Sequence, residues 1–297
     1  MTRDFPIRDG SRFAELAQTW LRGEIVPAEV ALASTVMLVR EGPPGPGGEA
    51  QGRSPVEVFL MRRVASMDFA PSVLVFPGGR VDPRDASADV EWAGRDPDSW
   101  AAVLDTDVAS ARLLVTAAIR ELFEECGVLL AGPDVHSVVA DVSSALWHER
   151  RMALTRHEVS LGEVLAEEDL VLRTDLLGYR AHWVTPGFER RRYDTRFFCA
   201  AVPDGQVPDG QTTEADHAQW ADPATTLESF ERGEVMMLPP TQACLEELSD
   251  ATSVESVVTD AVDVLRVLPE LAVLDSGDVV LRTPLPERTA PGPGGLR

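Results

Sequence analysis

The sequence predicts an α/β fold in which a mixed β-sheet lies between helices, and three observations support this prediction. Residues 31–39 and 56–61 are β-rich runs, which we expect to pair as adjacent antiparallel strands. The apolar run 73–76 is followed by Pro-Gly-Gly, a sequence typical of a strand that ends in a tight turn. Residues 107–126 have the apolar spacing of one long helix. The chain therefore contains the strands and the amphipathic helix that such a fold requires.

The remaining elements are predicted from the same patterns. Residues 13–21 have helical spacing, 179–184 and 195–202 are β-rich, and helices are expected from 238 to 271, before a short strand at 278–282. The predicted divisions of the chain are an N-terminal helical segment 1–27, a central domain 28–235 with an insertion at about 83–107, a helical C-terminal extension 236–283 and a disordered tail 284–297.

The long helix carries three carboxylates on one face. Glu121, Glu124 and Glu125 stand at positions i, i+3 and i+4, which are neighbours on a helix surface. Three like charges so close together destabilise a helix unless a cation lies between them, and Mg²⁺ prefers such oxygen ligands. A solvated acidic face is the alternative interpretation. The opposite face is an apolar stripe, and a glycine follows as a helix stop: Val115, Ile119, Leu122, Cys126 and Gly127.

The residues around these carboxylates resemble a known motif. Arg120-Glu-Leu-Phe-Glu-Glu-Cys-Gly-Val128 is similar to the second half of the Nudix box, and Phe76-Pro-Gly-Gly79 is similar to the strand end and turn that open it. The chain is therefore identified as a member of the Nudix hydrolase family. This resemblance implies a Nudix-type α/β/α sandwich and the hydrolysis of a diphosphate linked to another moiety.

The box departs from the family pattern at two points. About 27 residues are inserted between Gly79 and Arg120, compared with an uninterrupted box. The first glutamate of the box is expected eight residues before Arg120, and that position is Arg112; Asp82 and Asp85 are the candidates to replace it. Such an interrupted box is similar to that of the Nudix subgroup that includes the animal peroxisomal coenzyme A diphosphatase. The insertion is expected to form either a substrate-selecting lid or a surface excursion packed by its tryptophans.

The resemblance also implies a metal site with Mg²⁺ or Mn²⁺. Its expected ligands are Glu121, Glu124, Glu125, the carbonyl of Gly79 and Glu214, and Asp216 and Glu189 are rivals of Glu214. We expect Glu125 to be an exposed carboxylate that faces the metal.

One carboxylate of this site is expected to accept the proton of the attacking water. Glu124 is our first choice and Glu121 is the other candidate, while Arg120 is expected to orient the carboxylates without touching the substrate.

Two groups of arginines are candidates to bind the substrate. Arg190, Arg191 and Arg192 are consecutive, and guanidinium groups match phosphate oxygens bidentately. The alternative is a solvated turn whose arginines pair with nearby acids. Arg62 and Arg63 follow a predicted strand and either face the phosphates or form a solvated strand end.

Three functions remain open at this level. The first is a coenzyme A or acyl-coenzyme A diphosphatase, an expectation that rests on the subgroup resemblance alone. The second is a Nudix pyrophosphatase that acts on ADP-ribose, NADH or another nucleotide derivative. The third is a non-catalytic Nudix domain that senses a nucleotide, which retention of all three box carboxylates disfavours.

Charge and composition exclude some partners. The net charge of −22 over 297 residues argues against binding to a nucleic-acid backbone, so a small nucleotide diphosphate is the expected partner. No apolar run is long enough to span a membrane, the N-terminus lacks the apolar core of a signal peptide, and the C-terminus lacks a peroxisomal Ser-Lys-Leu address. We expect a cytoplasmic protein with three reduced core cysteines. A homodimer formed through the C-terminal helices is left open.

Overall fold

The computed structural model describes residues 1–7, 12–43, 55–66, 70–86 and 90–286. Its helices are α1 (Arg12–Leu21), α2 (Pro97–Leu104), α3 (Val108–Cys126), α4 (Ala145–Thr155), α5 (Leu161–Glu167), α6 (Pro223–Glu231), α7 (Pro239–Ser249) and α8 (Val254–Thr259), with short 3-10 turns at Pro83–Ala86 and Thr174–Leu176. Its strands are β1 (Thr2–Pro6), β2 (Val30–Glu41), β3 (Val56–Arg63), β4 (Leu74–Val75), β5 (Gly78–Arg80), β6 (Trp92–Ala93), β7 (Ala131–Gly132), β8 (Val171–Arg173), β9 (Gly178–Val184), β10 (Arg192–Ala201), β11 (Ala215–Ala221), β12 (Arg266–Val267), β13 (Glu270–Val273) and β14 (Val279–Pro284).

The chain forms two compact units. The first unit consists of Met1–Val30, His182–Asp194 and the C-terminal residues from Asp263, and the second consists of Ala31–Ala181 and Thr195–Val262. The predicted segment 1–27 lies within the first unit, whereas the predicted domain 28–235 contributes residues to both. Each unit is described by itself below.

The second unit is built on a sheet with the strand order β11-β3-β2-β10-β9. Strands β2 and β3 are antiparallel, with Val39 opposite Val58, as their sequences predict. Strand β5, which contains the paired glycines, is antiparallel to β2, while β4 is antiparallel to β3. The Pro-Gly-Gly turn is therefore held at the sheet by two short strands.

Helix α3 packs against this sheet through its apolar face. Leu114, Ile119 and Leu122 are buried in one cluster with Val36 and Leu38 of β2. Burial of side chains of this size stabilises the fold by about 1.5–3 kcal/mol each. The hydroxyl of the buried Ser34 also donates a hydrogen bond of 2.6 Å to the carbonyl of Leu114. The predicted apolar stripe is confirmed, and the prediction of an α/β fold with mixed sheets and helices is confirmed with it.

The described part of the insertion is a packed element and not a free loop. Helix α2 packs against α3, and strand β6 pairs in parallel with β8. Trp100 is fully buried and meets Phe198 edge-on, with ring centroids 5.8 Å apart. The Arg112 guanidinium lies 5.6 Å from the ring centroid of Trp92. Of the two expected forms of the insertion, the one packed by its tryptophans agrees with these contacts, and residues 87–89 lie outside the described part.

The first unit contains an antiparallel sheet of order β1-β14-β13, and β12 runs parallel to His182 and Trp183 of β9. The predicted helices between 238 and 271 are wrong beyond Thr259, because the chain there enters β12 and β13. Pro269 breaks any helix, and the turn at Ser276-Gly277 joins β13 to β14 as a hairpin.

The predicted tail begins inside this sheet. Pro284 is the last residue of β14, and the Leu285 amide donates a hydrogen bond of 2.8 Å to the carbonyl of Met1. The rest of the predicted tail, from 287 onward, lies outside the described residues. No helix in the described part of the chain is both long and apolar enough to cross a membrane.

Candidate functional site

The C-terminal turns of α3 carry the three glutamates, and both ends of this helix are capped. Asp107 accepts a hydrogen bond of 2.9 Å from the Ser110 amide at the N-terminus. Gly127 adopts a left-handed conformation with φ 67° at the C-terminus, and its amide donates to the carbonyl of Phe123. The stop at Gly127 was predicted from sequence, and the two caps define where the helix begins and ends.

The Pro-Gly-Gly turn approaches these helical turns closely. The Gly78 amide donates a hydrogen bond of 2.7 Å to Glu125 Oε2. A Cβ atom at Gly79 would lie only 2.6–2.9 Å from the carboxylate atoms of Glu121. Glycine is therefore required at position 79 because a side chain would displace a candidate ligand, and the turn and helix together form one site.

Arg120 lies at the centre of the site. Its Nη1 donates to Glu121 Oε1 at 2.9 Å and to Glu124 Oε1 at 3.1 Å. Its Nε and Nη2 donate to the two carboxylate oxygens of Asp85 at 2.8 and 3.1 Å. Nη2 also donates to the carbonyl of Arg80. All the donors of this buried guanidinium thus face acceptors, which supports the expected orienting role.

Asp85 has the spacing from Gly79 that the first glutamate has in an uninterrupted box. It is 2% exposed, and its Oδ2 also accepts from the Asp82 amide at 2.8 Å. The sequence left Asp82 and Asp85 open because the position was counted back from Arg120. Five residues lie between Gly79 and Asp85, the number that lies between the first glycine and the first glutamate of an uninterrupted box. The inserted residues therefore follow Asp85. That count was the signal available in the sequence.

Burial raises the pKa of all three glutamates. It raises the pKa of Glu121 to about 7, although the charge of Arg120 acts in the opposite direction. Burial also raises the pKa of Glu124, and the charge of Arg120 again acts in the opposite direction. For Glu125, burial raises the pKa well above its usual range, and the charges of Glu121 and Glu214 add to the effect. Burial therefore disfavours the charged form of each of the three glutamates.

Glu125 is only 7% exposed, so the expectation of an exposed carboxylate is wrong. The reason is that the turn at Gly78 covers it and donates a hydrogen bond to it. This packing could not be read from helical spacing, which identifies a shared face but not what lies against that face.

The donor chemistry of the site fits a hard divalent cation. Buried carboxylates with raised pKa values attract a positive charge, and Mg²⁺ is commonly held by one or two carboxylates with several waters. Within the described residues, no group of three or more His, Cys, Asp or Glu side chains is arranged to hold a metal ion. Instead, Glu121 and Glu124 both accept hydrogen bonds from Arg120, and Glu125 accepts one from the Gly78 amide.

Glu214 and its rivals lie in different surroundings. Glu214 is exposed, and the Val64 amide beside the end of β3 donates to its carbonyl at 3.0 Å. Its charge contributes to the raised pKa of Glu125, which places it near the glutamate cluster. Asp216 instead forms an exposed ion pair of 2.7 Å with Arg62. Glu189 belongs to the first unit. The charge of Glu214 thus acts on Glu125 of the cluster.

The candidate arginines also differ from one another. Arg62 is occupied by Asp216, whereas the Nε of Arg63 is buried and has no hydrogen-bond partner among the described residues. Burial raises the pKa of Glu125, and the positive charge of Arg63 opposes this, so Arg63 lies close enough to act on the site. A buried donor without a partner is costly unless a ligand or water satisfies it.

The arginine triplet 190–192 belongs to the first unit, while the glutamates belong to the second. Arg190 and Arg191 are exposed. Arg192 is half-buried and donates to the carbonyls of Thr185 and Ala28, each at 3.1 Å. The phosphate clamp remains a prediction.

His157 is a site residue that the sequence did not single out. It follows α4 in a left-handed conformation with φ 58°, and its Nδ1 lies 3.5 Å from Asp82 Oδ2. Arg84 donates both to its carbonyl and to Asp82. A hydrogen bond from Arg84 holds the pKa of Asp82 well below its usual range. No spacing pattern pointed to His157, because the contact joins residues far apart in the chain.

The fold and the arrangement of Arg120 and the three glutamates behind the Pro-Gly-Gly turn are those of a Nudix domain. Residues 96–248, just over half of the chain, match the family described as the NUDT19 Nudix domain. The chain belongs to that family. Nudix hydrolases generally use divalent metal ions.

Known proteins agree with this assignment. The chain is 28% identical over 238 residues to the human acyl-coenzyme A diphosphatase NUDT19, covering 67% of this chain and 61% of the relative. It is 25% identical over 222 residues to the Xenopus laevis acyl-coenzyme A diphosphatase NUDT19, covering 63% and 58%. A putative nudix hydrolase 7 of Caenorhabditis elegans is 26% identical over 201 residues, covering 65% and 55%. The chain thus spans 55–61% of the length of these relatives.

A solved structure supports the fold. The NUDIX hydrolase from Alicyclobacillus acidocaldarius aligns with a TM-score of 0.62 and 25% identity, covering 77% of this chain and 95% of that one.

Proposed function

We propose that this protein hydrolyses the diphosphate linkage of a nucleoside diphosphate derivative in a reaction that depends on Mg²⁺ or Mn²⁺. The observation that carries the proposal is the buried Arg120, which holds Glu121 and Glu124 on one side and Asp85 on the other. A hydrolytic site needs its carboxylates preorganised before substrate binds, because their reorientation would add to the barrier. The family assignment supports the same reaction.

The proposed roles follow from the contacts. Glu121, Glu124, Glu125, the Gly79 carbonyl and Glu214 would hold the divalent ion, which would lower the pKa of coordinated water and neutralise phosphate oxygens. Arg120 orients the carboxylates of Glu121 and Glu124 and does not touch substrate.

Glu124 accepts the proton of the attacking water, and Glu121 is the second candidate. Burial raises the pKa of Glu124 above its usual value, which makes it a stronger base than an ordinary carboxylate.

Arg63 is proposed to contact a phosphate oxygen of the substrate. Its Nε is buried and has no partner among the described residues, so it is a donor that an anionic oxygen satisfies. Arg190, Arg191 and Arg192 are proposed as further phosphate contacts, on their charge and sequence alone. Arg62 contributes less, since Asp216 already occupies it.

Coenzyme A or an acyl-coenzyme A is the substrate we propose first. The support is the match to the NUDT19 Nudix domain and the names of the Xenopus and human relatives, which are acyl-coenzyme A diphosphatases. Cleavage would give a 3′,5′-bisphosphate nucleotide and a phosphopantetheine product. ADP-ribose, NADH and other nucleotide derivatives share the same diphosphate and are the alternatives.

A competition experiment tests both parts of the proposal. The protein is incubated with Mg²⁺ or Mn²⁺ and an equimolar mixture of coenzyme A, NADH, ADP-ribose and a nucleotide sugar, and products are identified by mass. Phosphopantetheine should appear first. Glu125→Gln should abolish it, and Glu158→Gln should not, because Glu158 is an exposed partner of Arg156.

The other outcomes are equally informative. Cleavage of another component, with coenzyme A intact, would keep the reaction and discard the substrate. If the wild type cleaves nothing with either ion, the hydrolase proposal fails and a nucleotide-sensing role replaces it.

A further inference from the structure

Arg151 joins three segments of the second unit at the end of the box helix. This residue of α4 is 4% exposed. Its Nε donates a hydrogen bond of 2.9 Å to the carbonyl of Glu124. Its Nη1 and Nη2 donate to the two carboxylate oxygens of Asp209 at 2.9 and 2.8 Å. One guanidinium therefore holds both the last turn of α3 and the loop that precedes β11.

The same loop is attached to the helix end by its backbone. The Asp209 amide donates a hydrogen bond of 2.9 Å to the carbonyl of Cys126. The side chain of Gln206 accepts from the Leu129 amide and donates to the Leu129 carbonyl. Carbonyls at a helix C-terminus have no partner within the helix, so the loop and Arg151 supply partners that water would otherwise supply. The loop continues from Asp209 to Glu214, five residues later.

Gly127 leaves the space that this contact needs. A Cβ atom at Gly127 would lie 2.8 Å from Arg151 Nη1 and 3.5 Å from Asp209 Oδ2. The glycine thus has two independent reasons to be there, its left-handed φ of 67° and the close approach of the Arg151–Asp209 pair. This close packing indicates a built contact and not an incidental surface pair.

We propose that Arg151 is a positioning residue, which holds the loop bearing Glu214 against the helical turn bearing Glu124 and Glu125. The inference rests on the function proposed above, since it assigns these carboxylates to one metal site. Glu214 is exposed and ends a loop whose far end is held by the Val64 amide, which donates to the Glu214 carbonyl, so the place of its carboxylate also depends on what restrains the near end of the loop. Arg151 and Asp209 provide that restraint without touching the ion or the substrate.

Lysine cannot replace arginine in this arrangement. The contact needs three donors in one plane, one for Glu124 and two for Asp209, and only a guanidinium presents them in that geometry. Arg151→Lys keeps the charge and most of the volume but loses the planar set of donors that binds Glu124 and Asp209 together. Asp209→Asn is the complementary change, because it keeps the shape of the side chain and removes its charge.

Three variants and three readouts test the inference. The variants are Arg151→Lys, Asp209→Asn and, as a matched control, Arg150→Lys on the same helix, whose partners are Glu167 and Glu168 near the surface. The readouts are hydrogen exchange of the backbone amides, the affinity for Mn²⁺ measured by electron paramagnetic resonance, and kcat and KM on the substrate that the wild type cleaves.

We expect faster exchange in residues 123–129 and 206–214 of Arg151→Lys and Asp209→Asn, with the rest of the second unit unchanged. Mn²⁺ affinity should fall by about 10-fold or more, as for other residues that orient metal ligands. The kcat should fall by about 10- to 100-fold while KM changes little, because the reacting groups are misplaced and not lost. Arg150→Lys should match the wild type in all three readouts.

Two results would overturn the inference. Wild-type exchange in both segments of Arg151→Lys would mean that the contact restrains nothing. Faster exchange with wild-type Mn²⁺ affinity and kcat would mean that it serves stability alone. A wild type that hydrolyses nothing would refute the proposed function instead, and exchange and Mn²⁺ affinity would then decide the positioning role without any substrate.

Discussion

Arg120 and Asp85 form a bidentate ion pair across 35 positions of the chain, with donor–acceptor distances of 2.8 and 3.1 Å. Both side chains are buried. The pair connects the 3-10 turn after the paired glycines to the helix that carries the glutamates. It leaves Nη1 of Arg120 free to bind Glu121 and Glu124. The insertion therefore interrupts the motif in sequence but not in space.

Asp85→Asn should impair both stability and activity, because it leaves part of the buried Arg120 charge without a partner. We expect a loss of about 2–3 kcal/mol in the free energy of unfolding, since Glu121 and Glu124 still compensate the guanidinium. Asp85→Glu keeps a carboxylate and introduces the residue type of an uninterrupted box. It should therefore lose less stability and less activity than Asp85→Asn. Urea unfolding and kcat of the metal-loaded enzyme measure these effects. Equal losses in the two variants would show that the charge at position 85 is not what Arg120 needs.

Glu125→Gln should remove activity without weakening the metal-free fold. Burial raises the pKa of Glu125 well above its usual range, so the charged form is the costly one. Glutamine keeps an oxygen that can accept from the Gly78 amide at nearly the same place. We expect kcat to fall at least about 100-fold, as for the loss of a direct stabiliser of the transition state. A metal-free variant that unfolds at a much lower urea concentration than metal-free wild type would contradict this.

The sequence predicted the box helix, its glycine stop and the three glutamates because these features depend on local spacing. Helical periodicity places Glu121, Glu124 and Glu125 on one face wherever the helix lies. Burial of Glu125 under Gly78, the contact of His157 with Asp82 and the Arg151–Asp209 pair depend on segments that meet only after folding. The strands at 266–273 were missed for the same reason, since their partners are β9 and β14.

The stability of the metal-free protein should depend on pH through Glu121. Burial raises the pKa of Glu121 from 4.5 to about 7, so the folded state binds its proton more tightly than the unfolded state does. Its contribution to stability is fully present below about pH 4.5 and is lost as the pH rises through 7. The difference in the free energy of unfolding between wild type and Glu121→Gln isolates this contribution. That difference should change by about 2–3 kcal/mol between pH 4.5 and 8.

Urea unfolding in the presence of a chelator, at several pH values, measures this difference. Mg²⁺ should reduce it, because a bound cation favours the charged carboxylate. A difference that grows with pH, instead of shrinking, would mean that the carboxylate is stabilised in its charged form even without metal.

Arg63 and Arg62 should differ sharply although they are neighbours on β3. Arg63→Ala removes a buried donor that has no partner among the described residues, so substrate phosphate is its expected acceptor. We expect kcat/KM to fall about 10- to 100-fold, in line with about 1.5–3 kcal/mol for a hydrogen bond to a charged group. Arg62→Ala breaks only an exposed ion pair with Asp216 and should change kcat/KM less than about twofold. Steady-state kinetics on the two variants decides, and equal effects would reject Arg63 as the phosphate contact.

Gly79→Ala should inactivate the enzyme through Glu121. The new Cβ would lie 2.6 Å from Glu121 Oε1, closer than van der Waals contact allows, so the carboxylate has to move away from the turn. We expect kcat to fall about 10- to 100-fold, as for a misplacement of about 1 Å, while the fold persists because the clash is with the end of a side chain.

A double-mutant cycle with Glu121→Asp tests this cause directly. Aspartate withdraws the carboxylate by one methylene and makes room for the methyl group, so Gly79→Ala should cost much less in that background than in the wild type. The interaction term then measures the steric conflict between the two positions. Additive effects in kcat would mean that the methyl group acts on something other than Glu121, such as the carbonyl of residue 79 itself.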